Sequence, residues 1–171
     1  MVRLLRRKKS VVLIDLPQLT RSPIKFDLFT LSAGLHKEFE EVVTFARIPR
    51  NEDMGAWGLL GVAAKAGLSP VLCPADPDPI IASTILELSR RDDVTTIALL
   101  SGDTGFFLAL KIAKRNGKRT KVILPPGSES KLLKLVADEV DSIERYAGEL
   151  TTPSVRYKEE MMTGTVVSRE G

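Results

Sequence analysis

The feature that most constrains this chain is a regular exchange between short, continuously apolar, β-branched runs and longer stretches of helical periodicity. The apolar runs fall at residues 11–14, 42–46, 70–73, 96–100 and 120–124, with a short sixth around 140–143. A run such as Val11-Val12-Leu13-Ile14 is apolar at successive positions rather than alternate ones, which suits a strand buried on both faces. Helical segments lie between the runs, at 23–39, 53–67, 78–91, 104–116 and 128–138. Asp78 before Pro79 reads as a helix N-cap followed by proline at the first helical position. Gly67 and Gly117 stand where C-terminal glycines belong, and Ser128, after Pro125-Pro126-Gly127, reads as a further N-cap. Strict alternation of strand and helix builds right-handed βαβ units. The expected fold is therefore α/β, a doubly wound, mostly parallel β-sheet flanked by helices on both faces in a three-layer sandwich.

A length of 171 residues suits one domain with a full core. With 43% hydrophobic residues and 27% charged, the chain is neither a disordered tail, nor collagen-like, nor a membrane protein. The net charge of +3 is unevenly placed: Arg3, Arg6, Arg7, Lys8 and Lys9 precede any acid, so the remainder holds 20 basic residues against 22 acidic. The expected division is a basic N-terminal arm at 1–10, a domain at 11–148 and a C-terminal extension at 149–171. The arm suits phosphate or an acidic partner, and equally plain solubility. Thr151-Thr152-Pro153 reads as an exit from the domain, and 163–168 suits either one added edge strand or a tail.

Cys73 and His36 are the only cysteine and histidine, which removes an intrachain disulfide, a cysteine zinc cluster and a mixed histidine–cysteine site. A reducing cytoplasm is the expected setting. The apolar stretch near the N-terminus is interrupted by Asp15 and Pro17, too short for a signal segment, and no run approaches membrane-spanning length. Gln18, Asn51 and Asn116 are the only side-chain amides, a scarcity that fits a thermophilic source.

In an open α/β sheet the ligand crevice lies beyond the carboxyl ends of the strands, where the strand order reverses. Asp15 ends the first strand, Arg47 follows the second, Asp76 and Asp78 follow the third, and Ser101-Gly102-Asp103 follows the fourth. Each aspartate has a local explanation: Asp78 and Asp103 as helix caps, Asp15 as a brace for the turn into Pro17. Their convergence on one end of the sheet, however, concentrates negative charge that a hard cation with oxygen ligands would neutralise, which implies Mg²⁺ or Mn²⁺. Arg47 and Arg50 would share that rim and suit phosphate, unless Glu52 or Asp53 pairs with them. The basic stretch of Lys111, Lys114, Arg115, Lys118, Arg119 and Lys121 is explained largely by the helix C-terminus it surrounds. Trp57 is expected in the core or an interface, His36 at the surface, and one of Phe106 and Phe107 against the sheet. Aromatics make up 5% of the chain, which disfavours a single-strand binder built on stacking.

Ile14-Asp15 with Gln18, Asp78 opening a helix, and Leu99-Leu100-Ser101-Gly102-Asp103-Thr104-Gly105-Phe106 together resemble the NYN domain family, a branch of the PIN-like nucleases. Asn116-Gly117-Lys118, the strand to Leu124, and then Ser130, Leu133, Ala137-Asp138 and Val140 are similar to the family's closing pattern. The resemblance runs over about residues 11–146 and is most specific at the Ser-Gly-Asp-x-x-Phe block. It implies a metal-dependent endoribonuclease in which Asp15, Asp78 and Asp103 are catalytic and hold Mg²⁺ or Mn²⁺, while Ser101 and Thr104 contact ligands or substrate. Gln18 stands where the family has an asparagine. Gly105 and Thr84 stand where the family often carries further acids, so the implied site is reduced. The alternative is a catalytically degenerate domain that binds RNA, a protein partner or a second copy of itself. A phosphatase of the haloacid-dehalogenase type is disfavoured by Pro17, which replaces its second aspartate. A dinucleotide-binding domain is disfavoured by the lack of a glycine-rich turn after the first strand.

Overall fold

The computed structural model of the chain describes residues 7–21 and 26–148. Six strands, β1 (Lys9–Asp15), β2 (Glu41–Arg47), β3 (Pro70–Cys73), β4 (Val94–Leu100), β5 (Arg119–Leu124) and β6 (Glu139–Ser142), form one sheet in the order β3-β2-β1-β4-β5-β6. Every pairing is parallel. The helices among the described residues are α1 (Leu16–Thr20), α2 (Leu28–Glu38), α3 (Met54–Lys65), α4 (Asp78–Ser89), α5 (Phe107–Arg115), α6 (Lys131–Val136) and α7 (Glu144–Ala147). The doubly wound expectation holds. The chain winds from β1 outward through β2 and β3, then crosses back to β4 and winds the other way, so the order reverses between β1 and β4. The short sixth strand is present as β6.

The apolar runs are continuous because both faces of the sheet are covered. Val11 and Leu13 pack with Ile81 and Ile85 of α4 and Leu110 and Ala113 of α5. Val12 and Ile14, pointing the opposite way, pack with Leu31 and Leu35 of α2 and Leu60 and Ala63 of α3. Each such side chain, fully removed from water, stabilises the fold by about 1.5–3 kcal/mol.

Three local expectations are corrected. The helix expected over 23–39 begins later, at Leu28, where the Asp27 carboxylate accepts the Thr30 amide at 2.9 Å. A separate short helix, α1, starts directly after β1, because Pro17 in its first turn pre-sets the helical φ. Ser128 does not cap α6. Its N–H donates to the Pro125 carbonyl in a turn where Gly127 takes a positive φ of 70°, and the cap passes to Ser130, whose hydroxyl accepts the Leu133 amide at 3.2 Å. Asp78 lies inside the first turn of α4 and makes no capping bond, while Asp76 accepts the Asp78 amide at 3.1 Å.

The basic stretch after α5 is largely spent on structure. Lys114 pairs with Asp138 at 2.7 Å, Arg119 pairs with Glu139, and Lys118 donates to the Arg91 and Val94 carbonyls. Lys121 is buried in β5 and is held by Glu38 at 2.5 Å and Asp141 at 2.7 Å, while the Tyr146 hydroxyl lies within hydrogen-bond distance of both carboxylates and can donate its one proton to either. Of the N-terminal arm, Lys9 belongs to β1 and pairs with Glu41 at 2.6 Å, and Lys8 reaches the Asp92 carbonyl. Arg3, Arg6 and the extension at 149–171, including the edge strand expected at 163–168, lie outside the described residues.

Candidate functional site

Parallel register sets Ile14 beside Leu100, so Asp15 and the residues after Leu100 leave the sheet at the same end, on either side of the order reversal. A cavity of about 340 Å³ opens there, lined by Asp15, Gln18 and Arg21 around α1, Arg47 at the end of β2, Asp76 and Asp78 before and within α4, and Asp103 after β4. Asp15, Gln18, Arg47, Asp78 and Asp103 are thus brought together. Four carboxylates and two guanidinium groups share the lining.

Asp15 is nearly inaccessible, at 1% exposure. Burial pushes its carboxyl above the ordinary range, and the Ser101 hydroxyl, the Gln18 amide and Arg21 offset this only in part. Ser101 is itself fully buried: its hydroxyl donates to Asp15 Oδ2 at 3.0 Å and accepts the Asp103 amide at 3.1 Å. Of the site candidates, Ser101 thus contacts Asp15 directly and braces it from behind. Asp103 does serve as a cap, one oxygen accepting the Gly105 amide at 2.7 Å as a short 3-10 turn opens at Thr104. Thr104 is exposed in that turn and is not part of the cavity lining. Gly102 lies so close to Ser128 that a Cβ there would collide with the serine side chain.

Asp78 is also strongly disturbed. Partial burial, followed by the charges of Asp15, Asp76 and Asp103, pushes its carboxyl up to about 6. Asp76 accepts the Asp78 amide, and the Asp78 carboxyl, beside that of Asp76, lines the cavity. Thr84, at a place where the family often has an acid, gives its hydroxyl to the Ile80 carbonyl of its own helix.

The donor set is all oxygen and carries more negative charge than it can hold without penalty, the chemistry a hard divalent cation relieves. Among the described residues no three acidic, histidine or cysteine side chains close around one point, so a cation here would have to be held partly through its own water shell.

A second cavity of about 390 Å³ adjoins the first and shares Pro17 and Arg47 with it. Arg50 lines this second cavity rather than the acidic one. Among the described residues, neither Arg47 nor Arg50 pairs with Glu52 or Asp53, and Asp53 instead accepts the Ala56 amide as the cap of α3. Trp57 is 37% exposed, outside the core, and its indole N–H donates to the Arg50 carbonyl at 3.1 Å. Phe106 is buried and Phe107 packs partly against the core, while His36 is exposed as expected. The sequence did not point to Arg21, because nothing marked α1 as a helix whose end would return a side chain to the crevice.

No helix among the described residues is long and apolar enough to cross a membrane. The chain is 30% identical over 132 residues to an uncharacterized protein of Methanocaldococcus jannaschii, a match covering 77% of this chain and 54% of that protein. It therefore spans about half the length of the curated relative. A crystal structure of a protein of unknown function from Vibrio parahaemolyticus shares the fold with a TM-score of 0.65 at 20% identity, covering 85% of this chain and 99% of that one. Residues 75–144, which carry Asp76, Asp78 and Asp103, match the NYN domain, a family of the PIN-like superfamily.

Proposed function

We propose that the protein is a metal-dependent endoribonuclease with a reduced acidic site. The observation that carries this reading is the gathering of Asp15, Asp76, Asp78 and Asp103 around one cavity at the reversal of strand order, with Asp78 disturbed by the other three. Asp76 stands in for part of the acidity absent at Thr84 and Gly105. A divalent cation in this cavity, held by Asp15, Asp78 and Asp103 partly through its own water shell, would neutralise the cavity and activate water for attack on an RNA phosphodiester. Ser101 fixes Asp15, the Gly105 amide orients Asp103, and Arg21 and Arg47 bring positive charge to the phosphate. Gln18 offers an amide to substrate or water at the same wall.

The test is cleavage of labelled single-stranded RNA with Mn²⁺, compared with Asp103→Asn and Asp15→Asn. Loss of cleavage by at least about a hundredfold in both variants is expected if these residues carry the chemistry. Cleavage that survives either substitution would overturn the assignment.

The spacing of the carboxylates favours one alternative, a degenerate domain that keeps the crevice and binds RNA without cutting it. RNA binding by the wild type with no cleavage in either metal would select it.

A further inference from the structure

The second cavity has a chemistry opposite to the first. Its walls are mainly aliphatic, from Leu16, Pro17, Ile48, Pro49 and Leu59, and its charge comes chiefly from Arg47 and Arg50. It is also preformed. The loop between β2 and α3 is fixed at three points: the Ile48 amide on the Cys73 carbonyl at 2.9 Å, the Asp53 amide on the Arg50 carbonyl at 3.0 Å, and the Trp57 indole on that same carbonyl. Arg47 faces both cavities.

We infer that this cavity is a nucleotide subsite, taking the base and sugar next to the phosphate addressed by the acidic cavity, with Arg47 at the shared phosphate. The inference rests on the proposed ribonuclease reading for the role of the acidic cavity. A nucleobase is a flat group with apolar faces, and a cavity of about 390 Å³ with aliphatic walls removes those faces from water without aromatic stacking. The guanidinium groups at its edge match the phosphate that every nucleotide carries. Of the remaining polar side chains of the lining, Thr20 donates to the Pro17 carbonyl and Asp53 holds the Ala56 amide with one of its oxygens. The walls therefore offer shape rather than a hydrogen-bond code, and the subsite accepts different bases with little discrimination.

Trp57, the only tryptophan of the chain, is bonded to the cavity rim and reports on its occupancy. The full chain is titrated in Mg²⁺ buffer with adenosine 5′-monophosphate, uridine 5′-monophosphate and ribose 5-phosphate, reading Trp57 fluorescence and calorimetric heat. All three carry the same phosphate, so their difference isolates the base. Both mononucleotides are expected to bind about tenfold more tightly than ribose 5-phosphate. Ala56→Phe, which fills the cavity, is expected to abolish that difference. Ile48→Ser, at a position exposed enough to leave folding intact, is expected to reduce it several-fold while ribose 5-phosphate binding stays constant. Ribose 5-phosphate binding as tightly as the mononucleotides, or a base preference untouched by both variants, would overturn the subsite. RNA cleavage measured in parallel keeps the two readings apart: base-dependent binding without cleavage counts against the nuclease alone, and cleavage without base-dependent binding counts against the subsite alone.

Discussion

The Ser101 hydroxyl donates to Asp15 Oδ2 at 3.0 Å, in a position where neither residue meets solvent. One side chain thus ties the end of β1 to the end of β4 across the reversal of strand order, and through its acceptor lone pair also holds the Asp103 amide. Ser101→Ala would leave a buried carboxylate and an amide short of a partner. A loss of about 1–3 kcal/mol is expected by urea denaturation. If the nuclease reading is correct, cleavage falls in the same variant although Ser101 never touches RNA.

Asp78 should make stability depend on pH in the direction opposite to most aspartates. Its carboxyl is raised from 3.8 to about 6, so the folded protein takes up this proton before the unfolded chain does. Charged Asp78 therefore destabilises the fold above that value, and the penalty fades as pH falls toward about 4. Asp78→Asn is expected to gain about 1 kcal/mol at neutral pH, a figure reduced for solvent screening, and nothing near pH 4. Denaturation curves at the two pH values check this. A divalent cation should narrow the gap at neutral pH by stabilising the wild type more than the variant.

Gly102 is required by space rather than by backbone angle. Gly102→Ala drives a Cβ into the Ser128 hydroxyl and is expected to cost about 2 kcal/mol. Ser128→Gly in the same chain should restore more than half of that, giving a coupling of about 1 kcal/mol in a double-mutant cycle. Additive losses would mean that the two loops do not meet.

At Lys121 the expectation concerns acid. Burial would raise the Glu38 and Asp141 carboxyls, but hydrogen bonds from Lys121 and Tyr146 outweigh it and hold both below their ordinary values. Their contribution is present above about pH 4 and is lost as pH falls through the folded values. Lys121→Met leaves these carboxylates facing one another and is expected to cost about 3–5 kcal/mol at neutral pH. That deficit should shrink on acidification, which urea titrations at both ends of the range would show.

The sheet is legible because its central strands are buried on two faces and so carry apolar runs, as at Val11–Ile14 of β1, whereas the edge strands β3 and β6 are largely exposed and leave only short signals. Helix boundaries were less legible where two residues compete for one cap. Asp76 and Asp78, like Ser128 and Ser130, are equivalent in sequence, and only the turn before each helix decides between them. The acidic end of the crevice followed from strand ends alone. The bracing role of Ser101 is not legible because burial depth cannot be seen in a polar residue beside a strand, and the burial of Lys121 within the basic stretch is hidden for the same reason. Arg21 escaped because its position depends on α1, a five-residue helix with no periodicity to detect.

β1 also acts as a spacer. It places Lys9 at one end of the sheet and Asp15 at the other, six residues and about 20 Å apart. The lysines at its start therefore lie at the opposite end of the sheet from the four carboxylates of the cavity, with Lys9 paired to Glu41. An RNA held by that end and by the cavity at once would have to run the height of the sheet, so the two ends would grip different stretches of it.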